Sequence, residues 1–303
     1  GVVLHAVIRE VCDEIKKNGE SYYLISEEKR REMVKRSVSA ITDIYQNSIL
    51  KDSSRNSFMI KRMEDLADRT IWAMGEQLKC GDFVPFVFEH KFNMEVGDGD
   101  RKQLMSGTID RVDICENDTD VYVRIIDYKT GKKDFNIVKT YYGIDIQLMV
   151  YMEAAMKLVA KMRPGKNVLP AGVFYYNISD PIVSATNESA EEIEDKIKGE
   201  LRLKGMVNSD KDIAEKMDNT EGTSLNIPVS RKADGGFDSR RSKVMNTEQF
   251  NMLGRFVDVR AVDTADRIAG GDIRRSPYKD GQFSSCDRCP YGAVCGFSVD
   301  LPG

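Results

Sequence analysis

Two apolar runs each carry an aspartate where a buried strand ordinarily stays apolar, and this pairing constrains the chain most. Gly107-Thr-Ile-Asp110-Arg-Val-Asp113 is followed by Ile125-Ile-Asp127-Tyr-Lys129-Thr-Gly131. The pattern predicts strands over residues 104–114 and 121–128, joined by the polar hairpin loop Glu116-Asn-Asp-Thr-Asp120. If those strands pair, Asp110 and Asp127 come together. Asp127 and Lys129 are two apart, so a strand projects both from one face. Two carboxylates and a lysine at one spot suit a hard divalent cation, with the ammonium beside an attacked phosphate. Spacing alone also allows plainer roles: a surface ion pair for Asp127 and Lys129, and a turn for Asp110.

These strands sit within a longer order of elements. Over residues 1–17, Val3, Leu4, Val7, Ile8, Val11 and Ile15 share one helical face, and Asn18-Gly19 ends it. Further helices are predicted over 27–50 and 56–79. Gly81 and Pro85 mark a change of texture, and residues 84–92 alternate loosely as a first strand. A helix is predicted over 142–162, ended by Arg163-Pro-Gly165. A strand over 171–177 and helices over 188–204 and 247–269 complete the pattern, with 205–246 polar and loop-rich. The expected fold is α/β: a mixed sheet flanked by helices. Residues 1–303 read as one domain, with a helical part at 1–83, a core at 84–180, and a helical, cysteine-bearing part at 181–303.

Three neighbouring features bear on the acidic pair. Gln147 and Tyr151 are four apart on a predicted helix and share a face. They are either ordinary helix surface or groups laid against the acidic site, touching nucleic acid or orienting the lysine. His5 sits amid apolar residues, as a core histidine or a ligand. Glu89, in Phe88-Glu-His-Lys-Phe92, could supply a further carboxylate.

Composition removes several function classes. Lys plus Arg number 45 against 49 Asp plus Glu, a net charge of −4, which excludes a strongly basic nucleic-acid coat but not a local basic groove. No apolar run approaches the roughly 18–20 residues that span a bilayer, and no secretory signal pattern opens the chain. There are only two histidines, His5 and His90, so no site is built from several imidazoles. The chain opens on Gly1 rather than Met and is expected to be a piece of something longer.

Six cysteines divide into two groups. Cys12, Cys80 and Cys115 are scattered and read as small buried apolar residues. Cys286-Asp-Arg-Cys289-Pro-Tyr-Gly-Ala-Val-Cys295 packs three thiols into a short stretch. A disulfide framework is not expected without a secretory signal. Soft thiolates select zinc or an iron–sulfur cluster, and three are one short of the usual four.

Taken in order, the motifs resemble the RecB-type nuclease branch of the PD-(D/E)xK superfamily. They look closest to the C-terminal nuclease domain of the AddB component of AddAB-type helicase–nucleases. The motifs are G-x-x-L-H at 1–5, E-x-x-F at 89–92, G-x-I-D-R-V-D at 107–113 and I-D-Y-K-T-G at 126–131. Y-Y-G-x-x-x-Q-L-x-x-Y at 141–151 and C-x-x-C-P-Y-x-x-V-C-G-F at 286–297 complete the set.

The resemblance implies a restriction-endonuclease-like core and a Mg²⁺- or Mn²⁺-dependent deoxyribonuclease of exonuclease type. It implies the nuclease module of a helicase–nuclease in double-strand-break repair and recombination. His5, Asp110 and Asp127 are implied as metal ligands. Lys129 is implied as catalytic with Asp110 and Asp127, in a site shaped by Gln147 and Tyr151. Cys286, Cys289 and Cys295 are implied as three of four [4Fe–4S] ligands. The fourth lies upstream of the G-x-x-L-H motif in the family, so this chain is expected to hold no intact cluster. Residues after about 280 are then expected to be loosely tied, or held by zinc or a disulfide. The implied partners are DNA, as a single-stranded end delivered by a helicase, and an AddA-type subunit, in the bacterial cytoplasm and without a membrane. The alternative is a catalytically inactive DNA-binding scaffold of the same kind of complex. No G-x-x-x-x-G-K-[ST] loop is present, so no ATPase is expected in this segment.

Overall fold

The apolar stripe near the start of the chain becomes α1 (Val2–Lys17), which buries Leu4, Val7, Ile8, Val11, Cys12 and Ile15. Recurrence every three to four residues puts them on one side of the helix, and Lys16 and Lys17 complement the dipole at its C-terminal end. α2 (Glu27–Ile44) and α3 (Ser54–Lys79) pack with α1 as one helical layer. This computed structural model describes residues 1–44, 54–97, 102–184, 186–281 and 283–297. The expected helical stretch at 45–50 lies outside the described residues.

Three strands follow as a meander: β1 (Val84–Val96), β2 (Gln103–Glu116) and β3 (Asp120–Lys129). The turn between β2 and β3 is closed by Asn117, whose side-chain oxygen accepts from the Thr119 and Asp120 amides. The chain then crosses over through α4 (Ile137–Tyr141) and α5 (Gln147–Met162) to β4 (Asn167–Asn177), parallel to β3. A parallel neighbour requires such a crossover. After α6 (Ala190–Glu200) come β5 (Lys204–Asn208), antiparallel to β4, α7 (Lys211–Met217), and β6 (Val244–Met245), parallel to β5. The six strands lie in sequence order in one mixed sheet, the expected fold class.

The sheet separates two cores. On one face, Tyr122, Ile126, Tyr128, Phe174 and Tyr176 pack against α1, α2 and α3. On the other, Val121, Val123, Ile125, Val173 and Tyr175 pack against α5 and α8 (Thr247–Ala269). Alternate residues of β3 and β4 serve opposite layers, as the pleat requires. Beyond α8 the chain ends in a small hairpin, β7 (Lys279–Asp280) and β8 (Phe283–Ser284), a 3₁₀ turn over Ser285–Arg288, and α9 (Gly292–Cys295). Among the described residues, no helix is long and apolar enough to cross a membrane.

The structure corrects three expected elements. The helix expected from 142 begins at Gln147, because Gly143, at φ +75°, ends the turn after the separate short α4. The helix expected over 188–204 occupies Ala190–Glu200: Ser189 and Glu192 form a capping box, and Lys204 already belongs to β5. The stretch expected to be loop-rich at 205–246 contains most of β5, α7 and β6. Its two strands are only five and two residues long, too short for a periodicity signal.

Candidate metal centre and active site

The site begins at a fault in the β1–β2 ladder. Phe88 pairs with Arg111 and His90 with Ile109, while the facing Glu89 and Asp110 drop out of the register. Glu89 has φ +47°, the only positive φ at a non-glycine among the described residues. Both strands change face here. Phe92 belongs to the α5–α8 core, yet Phe88, four residues earlier, packs toward α1–α3. Ile109 and Val112 share the α5–α8 core although they are three apart. Regular alternation forbids both relationships.

The β2–β3 ladder also stops short of the site. Its last pair is Arg111 with Ile126. Asp110 would face Asp127 next, but its Oδ2 instead accepts the Tyr128 amide at 2.7 Å. The strands thus bring the two aspartates together, as their pattern suggested, without a backbone rung between them.

His5 arrives from the first turns of α1. Its Nδ1 lies 3.3 Å from Glu89 Oε1 and 3.4 Å from Asp110 Oδ1, and its ring stands edge-on to Tyr128. Ligand atoms of His5, Glu89 and Asp110 all lie within 4.8 Å of one another. Burial by itself would lower the His5 pKa, but the Asp110 and Glu89 carboxylates outweigh it and push it up to about 10. Burial, followed by repulsion from Asp110, pushes Asp127 up to about 6 despite the opposing pull of Lys129.

This donor set fits a divalent cation. Asp127 is buried, and Lys129 Nζ pairs with its Oδ2 at 2.6 Å. The carboxylates of Asp110 and Asp127 repel each other in this buried setting, and a cation would relieve that repulsion. Carboxylate oxygens with one imidazole suit Mg²⁺ or Mn²⁺. Direct metal–ligand bonds of about 2.0–2.6 Å keep ligand atoms within about 5 Å of each other.

Lys129 is held from several sides. Beyond Asp127, its ammonium donates to Gln147 Oε1 at 3.0 Å, and Gln147 Nε2 donates to Tyr151 Oη at 2.8 Å. Gln147 is the first residue of α5 and Tyr151 lies one turn later, so one helix face presents both. Tyr151 stands edge-on to Phe92, and Gly107 lies beneath the pair. A Cβ at Gly107 would stand 2.9 Å from the Phe92 ring and 3.4 Å from that of Tyr151.

Sequence reasoning missed the support under the lysine. The Tyr175 ring lies 5.5 Å from Lys129 Nζ, within cation–π reach. Its hydroxyl donates to Asp145 Oδ1 at 2.7 Å, and Asp145 Oδ2 pairs with Lys133 at 2.9 Å. This ties the entrance of α5 to β4. Nothing in the local pattern marks Tyr175, which reads as one more aromatic in an apolar strand.

Other singled-out residues lie elsewhere. Asp113 is buried under α1, away from the acidic recess, where Arg111 grips both its oxygens at 2.7 and 2.6 Å and Arg124 adds a bond of 2.8 Å. Cys286, Cys289 and Cys295 are free thiols on the C-terminal segment, so no disulfide holds it. Aromatic contacts tie it instead: Tyr278 packs on Tyr142 at 5.0 Å, and Lys139 Nζ lies 4.1 Å over the Phe283 ring. Cys12 and Cys115 are buried in the core and Cys80 is half-buried.

Comparison with known proteins agrees with this geometry. Residues 1–296 match the PD-(D/E)XK nuclease superfamily. The second, or B, component of the ATP-dependent helicase/deoxyribonuclease of Clostridium botulinum is 33% identical over 314 residues, covering 100% of this chain and 27% of that protein. The component of the same name from Caldanaerobacter subterraneus subsp. tengcongensis is 34% identical with the same coverage. That from Clostridium acetobutylicum is 34% identical over 313 residues, again covering 27% of its length. The chain thus spans about a quarter of the length of these relatives.

Proposed function

Because the chain belongs to the PD-(D/E)XK nuclease superfamily, we propose that it is the nuclease module of a helicase–nuclease and hydrolyses DNA phosphodiesters with Mg²⁺ or Mn²⁺. The observation that carries this reading is the convergence of His5, Glu89 and Asp110, with the charge of Asp110 acting on a buried Asp127 that pairs with Lys129. His5, Asp110 and Asp127 would hold the cation, with Glu89 as a further ligand. A divalent cation held there would polarise the phosphate and help to activate the attacking water.

The chain's own groups do the rest. Lys129 sets a positive charge where negative charge grows on the phosphate oxygens. Its ammonium bridges Asp127 and the Gln147 side-chain oxygen, which fixes where that charge stands. Tyr151 presents its oxygen to the Gln147 amide and thereby holds the amide's acceptor toward Lys129.

The same reading takes residues 1–303 as one domain working as an exonuclease on a single-stranded DNA end in the bacterial cytoplasm. An AddA-type subunit would deliver that end in double-strand-break repair and recombination. Cys286, Cys289 and Cys295 would be three ligands of a [4Fe–4S] cluster, to be checked by iron analysis of the full-length protein.

Degradation of labelled single-stranded DNA with Mg²⁺, with Mn²⁺ and with EDTA tests the core of the proposal. Cleavage should require the cation. Lys129→Ala should lower it by at least about 10²–10³-fold with an unchanged circular dichroism spectrum. Cleavage in EDTA, or full activity of the variant, would overturn the mechanism.

A further inference from the structure

A groove of about 1020 Å³ opens immediately beyond the catalytic lysine. Thr130, the residue after Lys129, lines both this groove and the smaller recess of about 490 Å³ that holds His5, Glu89 and Lys129. One wall is α3; the others are the 130–134 loop and the chain leaving β4.

The charges that line it do not cancel. Lys61 pairs with Asp65 and Lys133 with Asp145. Two lining acids, Asp134 and Asp180, are neutralised by Lys243 and Arg69. Among the described residues, Arg62, Lys132 and Lys204 remain without an ion pair, facing Glu200 as the one unpaired acid. In a chain of net charge −4, that local surplus of cations next to the site is informative. Phe58 lines the same groove with 65% of its surface exposed, a large apolar ring without a core role. A groove that combines free cations with an exposed aromatic ring matches the chemistry of a single strand: phosphates meet the cations and an unpaired base stacks on the ring.

We propose that this groove holds the DNA strand on one side of the scissile phosphate. Arg62, Lys132 and Lys204 receive phosphates and Phe58 stacks a base. The assignment rests on the nuclease reading and adds the path of the substrate, which runs from the acidic recess over Thr130 and along α3. A duplex gains less here, because its bases are already stacked on one another.

Binding of a fluorescent oligothymidylate, read by anisotropy in the Lys129→Ala background to prevent cleavage, tests the path. Each phosphate contact on a single strand contributes about 0.7 to the slope of log affinity against log salt. The triple variant Arg62→Glu/Lys132→Glu/Lys204→Glu should therefore lose about 2 from that slope and bind at least about tenfold more weakly at moderate salt. Lys17→Glu/Lys35→Glu/Lys161→Glu makes the same charge change on exposed positions outside the groove and should keep the slope. Phe58→Ala should weaken binding at least about fivefold without altering the slope. If the triple variant unfolds, Arg62→Gln and Lys132→Gln singly should each lose about 0.7.

Equal losses in the groove and control variants, or an unchanged slope in the groove variants, would overturn the groove assignment. Failure of the nuclease reading looks different: a chain with Lys129 intact that degrades no single-stranded DNA in Mg²⁺ or Mn²⁺.

Discussion

Glu89 and Asp110 face each other at the one place where the β1–β2 ladder omits a pair, and Glu89 adopts φ +47° there. Left-handed backbone costs an L-residue about 1–2 kcal/mol, and such strain persists where the surrounding structure over-determines it, commonly at functional sites. Here it accompanies the change of face that sets a carboxylate from each strand beside His5.

That strain gives a comparison in which the lost carboxylate cancels. Glu89→Gly and Glu89→Ala both remove the charge, but only glycine adopts the left-handed region freely. The glycine variant should be more stable than the alanine variant by up to about 1 kcal/mol, after its larger unfolded-state entropy is set against the strain. Urea melts of the two proteins decide it. Equal midpoints would mean that residue 89 relaxes its backbone once the carboxylate is gone.

Gly107 should matter for activity out of proportion to its size. A methyl group at that position must displace the Phe92 ring, 2.9 Å away, and then Tyr151, which steers Lys129 through Gln147. A misplacement near 1 Å can cost about 10²-fold in rate. Gly107→Ala should therefore lower kcat by roughly 10–10²-fold, with a smaller change in DNA affinity. Single-turnover cleavage beside anisotropy binding separates the two.

Asp113 answers to stability rather than chemistry. Burial alone would raise its pKa, but Arg111 and Arg124 outweigh burial and hold it below the usual carboxylate range. Removing one partner of a buried ionic cluster costs about 3–5 kcal/mol, so Asp113→Asn should lose that much in urea unfolding at pH 7. Because the folded pKa lies below the unfolded one, the stabilisation is full above the ordinary aspartate value of 3.8 and is lost as pH falls through the folded value. The gap between wild type and variant should stay level from neutral pH down to about pH 5 and narrow only in stronger acid. A gap that closes between about pH 7 and 5 would contradict this charge assignment.

Tyr278 should tie the cysteine-bearing segment to the turn before α5 through its contact with Tyr142. Removing the ring leaves the segment's aromatic anchor to Phe283 and Lys139. Tyr278→Ala should speed limited proteolysis after about residue 270 while Trp72, in α3, keeps its fluorescence. Identical digestion of wild type and variant would show that the contact carries no tethering energy.

Much of this protein is local. The 3.6-residue stripe of α1, the bounds of α8 and the strands on either side of Asn117 follow from patterns within single elements, because side-chain direction along a helix or strand is set by backbone geometry. So does the shared face of Asp127 and Lys129, and that of Gln147 and Tyr151. What lay beyond reach depends on contacts between elements. Asp110 and Asp113 sit in one motif, yet one joins the site and the other is gripped by two buried arginines. The fault in the ladder beside Asp110 comes with the positive φ of Glu89 itself, where no glycine or proline announces it. His5 meets Asp110 because α1 is pressed onto the sheet by its apolar stripe, and Tyr175 underlies Lys129 because β4 returns parallel to β3. Register and layer packing are summed over the whole chain, so only the tertiary structure decided which carboxylates the histidine would meet.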